Sequence, residues 1–207
     1  MAKEYRKQIE AMVRSLSAME TITVTTAEIA PPATSAQLDT ARWMAQLKLP
    51  TGLEAFYKEM NGVTVEWEAK EAFSDQEVDR GSIQLLPVEQ IFGNWEGTTW
   101  FEDIPDSERF RGVKPFDLFQ PEACAAFYQQ LDAAPEDTVY FHYFGEELSA
   151  MSYQFEEYLE RLVACRGYLY WQLTLCSESQ NTPEVERVRS RIPVLFPECS
   201  LDQFVPR

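Results

Sequence analysis

The side chains best suited to chemistry in this chain are one histidine, His142, and four cysteines, Cys124, Cys165, Cys176 and Cys199. His142 lies inside TVYFHYF at residues 138–144, a strongly β-prone run. Strand alternation puts it on one face with Tyr140 and Phe144, which suits a hydrogen-bonded structural ring better than a general base. No two cysteines form a C-x-x-C pair, and a single histidine completes no zinc-ligand spacing. Reduced thiols packed as small apolar groups are expected. The nucleophile elbow, the zinc-protease helix, the Walker loop and the dinucleotide-binding loop are absent from the sequence. Carboxylates are abundant, but abundance does not define an acid–base pair. Glu102-Asp103, Glu146-Glu147 and Glu156-Glu157 read as solvated faces. The sequence points to no catalytic residue, no metal and no cofactor, and so to a protein that is not an enzyme.

Binding has better material. The formal net charge is −16, from 34 acids against 18 bases in 207 residues. Residues 61–160 hold 22 acids and 5 bases, residues 1–60 hold 7 of each, and residues 161–207 hold 5 acids and 6 bases. The acidity therefore belongs to the middle of the chain. Such a field repels DNA, RNA and anionic lipid and draws basic partners; it also favours solubility, and both readings stand. Two segments join acids to large aromatics. The first holds Glu66, Trp67, Glu68, Glu71, Phe73, Asp75, Glu77 and Asp79; the second holds Trp95, Glu96, Trp100, Glu102, Asp103, Asp106 and Glu108. The candidate partner-binding residues are Glu66, Glu68, Glu71, Phe73, Asp75, Glu77, Trp95, Glu96, Trp100, Glu102 and Asp103, because buried aromatics with charged rims dominate protein interfaces. The competing reading makes the tryptophans anchors that hold loops to the core.

The elements that must position these residues follow from periodicity. Ile9, Met12, Val13 and Leu16 sit at helical spacing within residues 4–19. TITVTT at 21–26 reads as a strand, and Pro31-Pro32 breaks structure. Residues 35–47 read as a helix with Leu38, Ala41, Trp43 and Ala45 available for packing. Leu53, Phe56, Tyr57 and Met60 predict a helix over 51–60, capped by Thr51 with Glu54 in a T-x-x-E box and ended by Asn61-Gly62. Val63, Val65 and Trp67 alternate with polar residues as a strand, and residues 81–86 form another beyond a surface loop at 68–80. Pro87 suits the first position of a short helix through Ile91. Residues 93–112 are expected to be an ordered loop, since Trp95, Trp100, Phe101 and Phe110 are costly to leave in water. Residues 114–119 read as a strand. Residues 121–131 read as a helix with Cys124, Phe127, Tyr128 and Leu131 on one face. Residues 138–144 and 148–151 form a hairpin around Gly145-Glu146. Phe155, Tyr158, Leu159, Leu162 and Val163 stripe a further helix; 168–175 is a strand or its extension; Thr182-Pro183 starts a last, charged helix. This irregular interleaving predicts an α+β fold with a mostly antiparallel central sheet.

The run LPTGLEAFYKEMNGVTVEW at 49–67, the later Leu85-Leu86-Pro87, and SYQFEEYL at 152–159 together resemble the SUKH superfamily. The resemblance implies a central sheet with helices packed around it over residues 35–165. Residues 1–34 are then an N-terminal helix and strand addition, and 166–207 a C-terminal extension packed on the same domain. It further implies a bacterial immunity protein that binds a cognate toxin, here expected to be basic and nuclease-type. An intracellular regulator or scaffold with endogenous partners is the alternative that the resemblance to yeast regulators allows. No apolar run approaches the roughly 20 residues needed to span a bilayer, and the basic start of the chain lacks an apolar signal core, so a cytoplasmic location is expected.

Overall fold

A computed structural model describes residues 4–74 and 77–207. Among these residues seven strands form one sheet in chain order: β1 (Ile22–Ile29), β2 (Val63–Ser74), β3 (Glu77–Leu85), β4 (Val113–Gln120), β5 (Ala123–Tyr128), β6 (Tyr140–Tyr143) and β7 (Glu147–Ala150). Every neighbouring pair is antiparallel. The helices are α1 (Tyr5–Ser17), α2 (Ser35–Met44), α3 (Leu53–Tyr57), α4 (Val88–Ile91), α5 (Phe155–Ala164) and α6 (Pro183–Leu195). The α+β architecture with an antiparallel central sheet is thus what the chain adopts.

The inner face of the sheet and the helices share one core. Val63, Val65 and Trp67 of β2 meet Ile9, Met12 and Leu16 of α1, Phe155 and Leu162 of α5, and Val188 and Ile192 of α6 in a single buried cluster. Burying large apolar side chains at about 25 cal/mol per Å² drives this layer together. The segments at both ends of the chain are therefore part of the same core: β1 is hydrogen-bonded along β2, and α6 packs beneath the β2–β3 hairpin. Trp67 fixes one junction. Its Nε1–H donates to Arg166 O at 2.7 Å, and it faces Gly81, where a Cβ would stand 2.3 Å from the indole nitrogen.

The outer face is divided. Over β4–β7 it is covered by residues 93–112, with Trp100 and Phe110 buried against Val113, Cys124 and Ala126. Over β1–β3 it is open, and Thr64, Glu66 and Glu68 alternate outward from the buried residues of β2.

Several local expectations change. Residues 121–131 are not a helix. Ala123–Tyr128 is a strand flanked by β4 and β6, buried on both sides. Its alanine-rich run favours a helix intrinsically, but packing on both faces of the sheet overrides propensity; Leu131 lies exposed beyond it. Within the surface loop expected at 68–80, the described residues are strand instead: β2 continues to Ser74 and pairs with β3 from Glu77 onward. The helix expected over 51–60 contracts to Leu53–Tyr57 and starts on Gly52 at φ 81°, so the Thr51–Glu54 box does not form; Glu54 pairs with Arg42 and Lys58. Trp43 does not pack: it is 75% exposed. Pro87 precedes α4 as its cap. Residues 168–175 are neither strand nor helix extension: Tyr168 bridges to Gly81, and Trp171–Leu175 is a short 3-10 helix.

Candidate functional site

The groups able to do proton or nucleophilic chemistry face inward. His142 on β6 is fully buried between Phe110 and Phe144. Its Nδ1 lies 2.7 Å from Glu147 O and its Nε2 3.3 Å from Thr99 O. A neutral imidazole has one N–H, so it satisfies one carbonyl while spanning both. Burial lowers its pKa below the ordinary histidine value. The ring therefore ties the covering loop to the sheet. All four cysteines are free thiols and buried, and burial raises the pKa of each. Among the described residues no group of three or more histidine, cysteine or carboxylate side chains could hold a metal ion, and no helix is long and apolar enough to cross a membrane.

The first acidic segment divides between two environments. Toward the tip of the β2–β3 hairpin, α6 covers it. Asp79 is 0% exposed; it accepts the Tyr168 hydroxyl at 2.6 Å and pairs with Arg191 at 2.6 Å and Arg187 at 3.5 Å. Arg187 also reaches Glu77 at 2.9 Å, and both guanidiniums stack over the Phe73 ring. Glu77 and Phe73 are therefore held by the protein's own cations. Asp75 lies outside the described residues. Nearer β1, Glu66 and Glu68 point to solvent. Glu66 accepts the Thr26 hydroxyl at 2.9 Å. The pair lines a cleft of about 500 Å³ with Thr25, Arg80, Ser82 and Gln84, closed on the far side by Thr98 and Phe144. Glu71 is exposed beyond that cleft.

The second segment is built in the opposite way: aromatics in, acids out. Trp100 is 4% exposed and buried in the smaller outer-face core, which corrects its reading as a partner contact. Trp95 is half-buried and donates its Nε1–H to Ile91 O at 2.9 Å, so it too acts as an anchor. Ser107 Oγ accepts the Phe101 N–H at 2.8 Å, and a 3-10 helix, Ser107–Phe110, closes the turn. Glu96, Glu102, Asp103, Asp106 and Glu108 are left outside. Among the described residues, Glu102, Asp103 and Asp106 have no ion-pair partner, and Glu108 has only Arg111, at 3.9 Å. Ile104 stands among them, 52% exposed.

Sequence reasoning missed Arg187 and Arg191, which decide the hairpin's surface. Their i, i+4 spacing on a helix opened by Thr182-Pro183 was the available signal, since it puts both cations on one face. No known family model matches the chain, and no curated protein matches it.

Proposed function

We propose that this is a non-catalytic binding protein that receives a basic protein partner on the acidic loop Glu96–Glu108 and the adjoining cleft. The observation that carries this reading is that Glu102, Asp103 and Asp106 stand exposed with no ion-pair partner among the described residues, on a frame fixed by Trp95, Trp100 and Phe110. A preset acidic surface speeds encounter with a cation-rich partner, and Ile104 offers an apolar contact within the charged ring. The SUKH resemblance gives the class: an immunity protein whose carboxylates occupy the groove where a basic toxin would take its phosphate substrate.

The test is association kinetics with the basic partner over a range of ionic strength. Glu102→Lys combined with Asp103→Lys is expected to slow association about tenfold or more at low salt while changing dissociation little. An association rate that ignores both substitutions and salt would contradict the reading.

A further inference from the structure

Among the described residues β1 is paired on one side only, with β2, and so forms an edge of the sheet. The hydrogen-bonding phase of that ladder is set at both ends. Lys70 N–H donates to Thr21 O, and Ala30 N–H donates to Gly62 O. Between them the register shifts once, near Thr25. In an antiparallel pair, bonded and non-bonded positions alternate. Val24, opposite Trp67, and Ala27 and Ile29, opposite Val65 and Val63, therefore occupy non-bonded positions and turn their own N–H and C=O groups outward. No backbone group among the described residues meets them there.

The usual protection of such an edge is thin here. β1 is eight residues long, has no proline and no lysine, and carries a single irregularity. The opposite edge, β7, has four residues. Ala27 is exposed, whereas α1 supports the strand from the inner face. On the outer face, Glu28 of β1 and Glu66 and Glu68 of β2 outnumber Arg80 and Lys70. The cleft that begins at Thr25 runs across this same acidic surface.

We propose that β1 is a docking edge for an extended, basic segment of the partner, which adds to the sheet as an eighth strand. The inference rests on the binding function proposed above and states how the partner engages. Its main chain would meet Val24, Ala27 and Ile29, and its alternate Lys or Arg side chains would lie over Glu28, Glu66 and Glu68. A second copy of this chain is the poorer occupant, since each copy carries a formal charge of −16.

The probe is an eight-residue peptide alternating lysine with threonine and valine, titrated at low ionic strength into the isotope-labelled full chain. The expected result is shifted amides at Val24, Ala27 and Ile29 with exchange slowed about tenfold or more, together with backbone contacts from peptide to β1. Ala27→Pro should abolish these effects, because it removes an outward N–H and leaves the β2 ladder intact. Should that variant not fold, Glu66→Lys with Glu68→Lys serves instead and should weaken the peptide about tenfold. Binding confined to residues 96–108, with β1 amides unprotected, overturns the edge but leaves the binding function standing. No binding at all overturns both. Protection that grows with protein concentration without peptide assigns the edge to a second copy and overturns the basic occupant.

Discussion

The β2–β3 hairpin and the loop at 93–112 are the two acidic, aromatic segments of this protein, and they resolve the same composition in opposite directions. In the hairpin the aromatic Phe73 is partly outside, and its acids Glu77 and Asp79 are gripped by Arg187 and Arg191 of α6. In the loop the aromatics Trp100 and Phe110 are inside and the acids have solvent before them. Acidic side chains near an aromatic therefore do not by themselves mark an interface. The position of the balancing cation decides whether the charge serves the fold or remains available to a partner.

The largest effect should come from breaking the hairpin's internal pairing. Arg191→Ala leaves Asp79 buried with one weaker ion pair and the Tyr168 hydroxyl. Removing one partner of a buried pair costs about 3–5 kcal/mol, measurable as a lower urea midpoint. A loss below about 1 kcal/mol would show that α6 is held by its apolar face alone. The corresponding blow to the loop is Trp100→Ala, which should cost about 3 kcal/mol through the cavity left against Phe110, Val113 and Cys124. It should also raise amide exchange across 93–112 and spare the hairpin.

A third carboxylate sharpens the contrast. Asp117 on β4 is as buried as Asp79 but has no arginine; it accepts Gln84 N–H at 2.8 Å and the Tyr158 hydroxyl at 2.6 Å. Burial raises its pKa from 3.8 to about 6. Over that interval the folded state holds the proton more tightly than the unfolded chain does. The resulting stabilisation is fully present below about pH 4 and is lost as pH rises through about 6, an effect on the order of 3 kcal/mol. Asp117→Asn should flatten this part of the stability–pH curve relative to wild type. An unchanged curve in the asparagine variant would mean that other groups carry the dependence. The smallest effect on stability belongs to the loop. Glu102→Lys and Asp103→Lys should each shift it by no more than about 0.5 kcal/mol, because neither carboxylate has a partner to lose.

Much of the sheet was legible where alternation was clean, as in Val63-Thr64-Val65-Glu66-Trp67 and around His142. The helix at Phe155–Ala164 was legible from its apolar stripe. Ala123–Tyr128 was not, because a strand buried on both faces loses the alternation that distinguishes it from a helix. Continuation of β2 to Ser74 was hidden by the charges at 68–71, which suit a solvated strand as well as a loop. At the candidate site, the anchoring role of Trp100 and the exposed acids beside it were both among the readings open from sequence. The neutralisation of Glu77 and Asp79 was not, since it depends on residues over a hundred positions away meeting in space.

The most direct measurement compares three baits at low ionic strength in extracts of the source cells: wild type, the Glu102→Lys/Asp103→Lys/Asp106→Lys loop variant, and Glu77→Gln in the hairpin. Quantitative mass spectrometry of the captured proteins is the readout. An available loop and a neutralised hairpin together require one stoichiometric basic partner that is held by wild type and Glu77→Gln, is lost from the loop variant, and is released by salt. Equal retention by the loop variant, or loss only from Glu77→Gln, would contradict the assignment of the partner to the loop.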